Sequence, residues 1–210
     1  MPTRAARGRP RSERAKVAVL DAASELLVTG GIDAVTMEAI AARSKVSKAT
    51  LYKWWPSRAH VMLESLFART EHTIVVDEGT PLAQALTEKL LGITELFRDT
   101  EVGPLIADLV AASQADADIR AALDQHWLRP RRQVTAGLLR AAIDRGELEP
   151  DTDIPVAVDQ LYAPVYYRLL MRHEPLNDEL AATLVRQMLG GLRARPKVEA
   201  VVEVGARADS

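Results

Sequence analysis

Between Ser47 and Lys53 the chain places two lysines, three hydroxyl side chains and one alanine in seven residues. On a helical wheel of about 100° per residue, Ser47, Leu51, Trp54 and Trp55 group on one side. Ala49 and Lys53 face the other way, flanked by Lys48, Thr50 and Tyr52. The chemistry of that second face suits a polyanion. Lys48 and Lys53 can meet phosphates or guanine, Thr50 and Tyr52 can donate to phosphate oxygens, and Ala49 permits close approach or contact with a thymine methyl. Such a helix is roughly 12 Å long, about the width of the major groove of B-DNA.

Something must hold this face outward. Ser12 is an expected helix N-cap, and Val19, Leu20, Ala23, Leu26 and Leu27 follow at helical spacing until Gly30-Gly31 stops the run. Thr36 caps a second, short helix with Met37, Ile40 and Ala41 on one face and Glu38 in its first turn. A break falls near Ser44–Val46. Ser47 then caps a third helix that runs to Trp54 before Pro56, and Ser57 caps a fourth. Helices two and three form a helix-turn-helix, with the N-terminal residues of the third helix at base edges. The helix starts at Thr36 and Ser47 offer further backbone donors to phosphates. A merely solvated amphipathic helix is the other use of this stretch.

Charge favours the nucleic-acid use. Residues 1–60 carry eleven Lys/Arg and five Asp/Glu, whereas the rest carries sixteen and twenty-four. A basic module attached to an acidic body is expected to meet a polyanion at one end only. Residues 1–11, MPTRAARGRPR, read as a flexible basic arm. An organellar transit peptide is the alternative there.

The run TMEAIAARSKVSKATLYKWWPSRAHV, preceded by GGIDAVT, resembles the DNA-binding domain of the TetR family of transcriptional regulators over about residues 12–67. The shared features are the Gly turn after helix one, the Thr cap, the IA pair, the VS–TLY run and a basic residue beyond the aromatic end of helix three. The resemblance implies DNA contacts from Lys48, Ala49, Thr50, Tyr52 and Lys53, with Thr36 and Arg58 at the backbone. It also exposes a departure. Lys45 stands in a turn where the family usually has glycine, so a left-handed turn here carries strain of about 1 kcal/mol, or a further cation is useful at the DNA. The segment RGRP resembles the minor-groove core of AT-hook peptides, which places Arg7 and Arg9 in a narrow groove; nonspecific attraction is the alternative.

Beyond residue 60 the pattern is helical: from Pro81 to about Arg98, then 104–115, 118–145, 154–172 and 177–194. Pro130 and Pro164 are expected to kink or split their helices. The alternating stretch VEAVVEV reads as tail. His60, His72, His126 and His173 are scattered, no Gly-rich phosphate loop occurs, and the pairs Asp116/Asp118 and Asp151/Asp153 sit at helix starts as caps. No enzyme, metal or cofactor is expected. The absence of cysteine and of an apolar span fits a cytoplasmic protein with no membrane segment.

The family resemblance, carried here by LYAPVYYRLLMRHEPL, implies a C-terminal domain that binds a small-molecule effector and forms a homodimer. Trp127, Arg131, Tyr162 and Tyr166 are the effector candidates, beside Pro130 and Pro164. Leu161, Val165, Leu169, Leu180, Leu184, Met188 and Leu192 are the candidate dimer stripe. Ordinary core packing is the competing use of both sets. The expected architecture is all-α: an arm (1–11), a three-helix helix-turn-helix domain (12–60), a larger helical bundle for effector and dimer (61–195) and a tail (196–210). The expected partner is a double-stranded DNA operator, bound by a repressor that an effector releases. The competing class is a helical ligand-binding or interaction protein that does not bind DNA specifically.

Overall fold

The computed structural model describes residues 9–68 and 79–192, with side chains for 12–67 and 79–192. Arg7 and the 196–210 tail lie outside the described residues; Arg9 begins a helix, but its side chain lies outside them. Every regular element described is helical: α1 (Arg9–Ala34), α2 (Met37–Ser44), α3 (Lys48–Trp54), α4 (Arg58–Ala68), α5 (Leu82–Asp99), α6 (Val102–Ala112), α7 (Ala117–Leu123), a π-helical turn (Asp124–Leu128), α8 (Arg129–Asp144), α9 (Ile154–Met171) and α10 (Asp178–Leu192). The all-α expectation holds.

Helix α1 starts before the expected cap at Ser12, and its glycine stop is a kink: Gly31 sits at φ 70°, and three helical residues follow it. Only a residue without Cβ adopts that backbone cheaply. Helix α1 packs on α2 and α4. Helix α4 also packs on α7 and the π turn. The boundary expected at residue 60 therefore cuts through a helix that belongs to both halves.

In the larger half, α5 lies along α10, and α9 contacts α5, α6, α8 and α10. One continuous apolar core runs from Val19 and Leu27 through Met62 and Leu90 to Leu161 and Leu189. The segment expected as one helix over 118–145 is resolved into α7, the π turn and α8. Pro130 stands in the first turn of α8, where its missing N–H does no harm. Pro164, by contrast, is carried inside a continuous α9. The aspartate caps are present: Asp116 Oδ1 accepts from the amides of Asp118 and Ile119 at 2.9 and 3.1 Å, and Asp153 Oδ1 from Val156 N at 3.1 Å.

Five of the seven expected dimer-stripe residues belong to this core. Leu161, Val165, Leu169, Leu180 and Met188 are buried within one protomer, and Leu184 and Leu192 are only partly covered. Most of that stripe is thus already packed within one subunit, and Leu184 and Leu192 keep part of their surface accessible. The exposed apolar residues of α9 are Val156, Tyr167, Leu170 and Met171. They share an arc of roughly 100°, on the side of the helix opposite Leu161, Val165 and Leu169.

Candidate DNA-reading surface and buried aromatic cluster

Helix α3 is built by its own sequence. Ser47 Oγ accepts from Thr50 N at 3.3 Å and lies 2.9 Å from Thr50 Oγ1. At the other end Trp55 is extended before Pro56, and its N–H closes on Leu51 O at 2.9 Å. Leu51 and Trp55 are buried. Trp55 donates its indole N–H to Glu64 of α4, and Lys16 of α1 lies over its ring at 5.9 Å. Trp54 is half-buried and meets Trp55 edge-on at 5.6 Å. The tryptophans thus anchor α3 between α1 and α4, and the opposite face is left to solvent. Lys45, Ser47, Lys48, Ala49, Tyr52 and Lys53 are exposed, and Thr50 is half-buried. Tyr52 keeps 56% of its surface accessible, so its ring and hydroxyl stand in solvent on this face.

The turn before α3 is left-handed. Lys45 ends α2 at φ 59°, ψ 23°. The strain that the sequence raises for this lysine is present in the backbone. Upstream, Thr36 Oγ1 accepts from Ala39 N at 3.0 Å, which leaves the hydroxyl proton free to be donated outward. The lysines are not all idle. Lys48 Nζ lies 2.7 Å from Glu38 Oε1 of α2, which lowers the glutamate's pKa and raises the lysine's, the shared hydrogen bond being the main cause in each. Arg43 is similarly paired with Glu25 at 2.7 Å.

Arg58 departs from expectation. Its Nη1 donates to Ile32 O at 3.3 Å and Val35 O at 3.2 Å. These bonds tie the start of α4 to the end of α1 and to the residue that follows it. Ser57 likewise faces His60 Nδ1 at 3.0 Å, not a backbone amide of α4.

The four effector candidates do come together. Trp127, fully buried on the π turn, donates its indole N–H to the Tyr166 hydroxyl. The Arg131 guanidinium lies 3.5 Å from the centroid of the Trp127 ring and 5.3 Å from that of Phe67. Tyr162 and Thr135 share a hydrogen bond at 2.9 Å. Phe97 stacks on Trp127 at 5.8 Å and meets Tyr166 edge-on at 5.4 Å. Burial raises the pKa of both tyrosines, Tyr166 to about 12, and lowers that of Arg131. Burial also lowers Lys89 on α5, with the Arg131 charge adding to the effect. Sequence periodicity had no signal for Phe67, Phe97, Lys89 or Thr135, each an ordinary residue of a helix stripe. Two open grooves lie elsewhere: one of about 540 Å³ beside Phe97, Arg98 and Arg168, and one of about 290 Å³ beside Arg129, Arg132 and Pro155. None of the four candidates lines either.

The π turn faces two ways. Trp127 points into the cluster, whereas the adjacent His126 meets His60 of α4 edge-on at 5.6 Å. Among the described residues His126 Nε2 is buried without a hydrogen-bond partner, and burial, then the neighbouring His60, lowers its pKa.

Comparison with known proteins completes the description. A family model described as bacterial regulatory proteins of the tetR family matches residues 19–64, and a tetracyclin repressor-like C-terminal domain matches residues 75–188. The uncharacterized HTH-type transcriptional regulator YdeS of Bacillus subtilis (strain 168) is 38% identical over 198 residues, covering 93% of this chain and 98% of that protein. The DNA-binding transcriptional repressor TetR of Mycobacteroides abscessus is 28% identical, covering 85% and 94%. The crystal structure of the TetR family transcription regulator SCO0332 is 37% identical and covers 86% of this chain and all of that one, with a TM-score of 0.73. With its capped reading helix, its left-handed turn and its helical C-terminal body, the chain belongs to the TetR family of transcriptional regulators.

Proposed function

We propose that this chain is a homodimeric repressor that binds a two-fold DNA operator and is released by a small-molecule effector, acting in the cytoplasm. The observation that carries the reading is α3: a short helix anchored through Leu51 and Trp55, with Lys48, Ala49, Tyr52 and Lys53 left exposed on its outer side. Two such helices, one per protomer, would have to sit about 35 Å apart to enter successive major grooves. The proposed partner face is the exposed side of α9, where Tyr167 and Met171 keep 57% and 61% of their surface accessible. A second copy covering that arc would remove apolar surface that a monomer leaves in water.

The proposed effector site is the Trp127–Arg131–Tyr162–Tyr166 cluster, and its link to the DNA is a short chain of contacts. The π turn carries Trp127 on one side and His126 on the other; His126 packs on α4; Glu64 of α4 holds Trp55 at the end of α3. An effector that binds better to one arrangement of the π turn and α4 shifts the spacing of the two reading helices. Single-turn π segments recur at functional sites of this kind.

Lys48→Ala and Tyr52→Phe test the reading. Each is expected to weaken operator binding, measured by gel shift on the DNA that the purified protein selects, by roughly 1–3 kcal/mol where a base contact is lost. The dimer mass on a sizing column stays unchanged. Unaltered affinity in both variants would overturn the assignment of α3.

A further inference from the structure

Four arginines of the body meet acids at its surface. Arg98 meets Asp99 and Asp178, Arg129 meets Asp124, Arg132 meets Asp159, and Arg145 meets Glu147. Of the six arginines that line the two open grooves, Arg98, Arg129 and Arg132 are matched in this way. Arg131 differs from all of these in lying over the aromatic rings of the interior. Among the described residues it makes no ion pair, and its one described hydrogen bond runs from Nη1 to Trp127 O at 3.2 Å, one turn back on its own helix. A guanidinium has five N–H donors in a planar fork. One is used here, and the guanidinium lies against the Trp127 and Phe67 rings.

A second cation lies on the neighbouring helix α5. Lys89 of α5 is half-buried, makes no ion pair among the described residues, and is close enough to Arg131 for each charge to feel the other. Two like charges drawn together away from water are unfavourable unless an anion joins them. Around them stand hydrogen-bonding groups from three more positions, the hydroxyls of Tyr162, Tyr166 and Thr135. The rings of Phe67, Phe97 and Trp127 supply the apolar wall. Cationic fork, second cation, hydroxyls and aromatic wall are the parts that recognise a carboxylate on a flat or chain-like apolar body.

We infer that the effector is an organic acid, whose carboxylate is held by the Arg131 fork with Lys89 beside it and whose apolar body lies against the Phe67 and Trp127 rings. The inference rests on the effector-release reading above. Binding would draw Arg131 toward the anion and change its stacking on Trp127. Trp127 belongs to the π turn that touches α4, so the anion acts on the element that carries the reading helix.

The test uses the full-length protein, with three acids as probes (benzoate, 2-naphthoate and decanoate), each beside its neutral carboxamide. At least one acid is expected to raise the unfolding temperature of the wild type, and its amide to bind about tenfold more weakly or worse. Arg131→Met should remove the preference for the acid. Arg131→Lys, which keeps the charge but loses the fork, should restore it only in part. Arg131→Met without ligand is expected to unfold no lower than the wild type, because no described anion pairs with the cation it removes and methionine keeps apolar contact with the Trp127 ring. A fall of several degrees would show that the fold itself needs Arg131, and would overturn the inference. So would amides that bind as well as acids, acid preference surviving in Arg131→Met, or no stabilisation by any of the three acids. Failure of the broader reading looks different: it is loss of specific operator binding by the wild type. A neutral compound that releases the operator equally from wild type and Arg131→Met would sink the acid and leave effector release standing.

Discussion

Replacing Lys45 by glycine separates two roles that one side chain now combines. Its backbone is left-handed, φ 59° and ψ 23°, at the end of α2. For a residue with Cβ that conformation costs about 1–2 kcal/mol. Glycine removes the cost but gives back about 0.4–1 kcal/mol through the greater freedom of the unfolded chain. The net gain is about 0.5–1 kcal/mol per subunit, which for a domain of this size raises Tm by about 1–4 °C. The same substitution deletes an exposed cation in the turn that leads into α3. If the lysine neutralises one phosphate per protomer, a bound dimer loses about two from the slope of log affinity against log salt concentration. Thermal unfolding and a salt series of duplex binding measure the two effects on one preparation. The expected result is a more stable protein that holds DNA less tightly. Lys45→Asn, whose side chain tolerates the left-handed region but carries no charge, should lose the same salt slope. A Tm that stays level or falls would refute the strain argument. A raised Tm with an unchanged salt slope would refute the DNA contact and leave the lysine as an unrelieved local cost.

Two further outcomes follow from pairings that the fold creates. Glu38→Gln breaks the bridge to Lys48 and takes a negative charge off the DNA-facing side, so affinity should rise for operator and unrelated duplex alike; an anisotropy titration with both sequences checks it, and a gain confined to one would point to base readout instead. His126, buried and set against His60, titrates below its ordinary value in the folded state. The unfolded chain therefore takes up the proton first, and folding stability falls as pH drops through the ordinary histidine range near about 6.5. His126→Gln should flatten the dependence of Tm on pH between about 7.5 and 5.5, and parallel curves for the two proteins would rule out this histidine as a source.

The parts legible in the sequence were the parts decided locally. Thr36 and Ser47 each close a helix through an amide three residues on, so their caps are written within four letters. The wheel of α3 separates Leu51 and Trp55 from Lys48 and Tyr52 because one short helix has only two sides. Lys45 was legible as a strained position only through the family resemblance, because glycine is usual at that place in the turn. Elsewhere the chain alone could not decide between equal patterns. Helix α9 is apolar on two sides, and periodicity does not say whether Leu161 and Val165 or Tyr167 and Met171 face the same protomer. For Arg58 the resemblance implied a contact with the DNA backbone; its bonds to Ile32 O and Val35 O depend on how α4 meets the end of α1, which local sequence does not state. The aromatic cluster was half legible. Trp127 and Arg131 lie one turn apart, as do Tyr162 and Tyr166, but Phe67 and Lys89 reach it from α4 and α5 with no local mark.

The chain contains three tryptophans, and their placement has an optical consequence. Trp54 and Trp55 end the reading helix; Trp127 lies at the heart of the inner cluster under a guanidinium. Indole emission depends on polarity and on nearby charge, so the protein's tryptophan fluorescence, excited selectively at the red edge of the absorption band, comes from these two places. With Trp54 and Trp55 replaced by phenylalanine, the remaining signal belongs to Trp127 and follows the movement of Arg131 across its face. With Trp127 replaced, it belongs to the helix that meets DNA. The order in which the inner cluster and the reading helix respond can thus be timed in one molecule, by its own residues and without an attached dye.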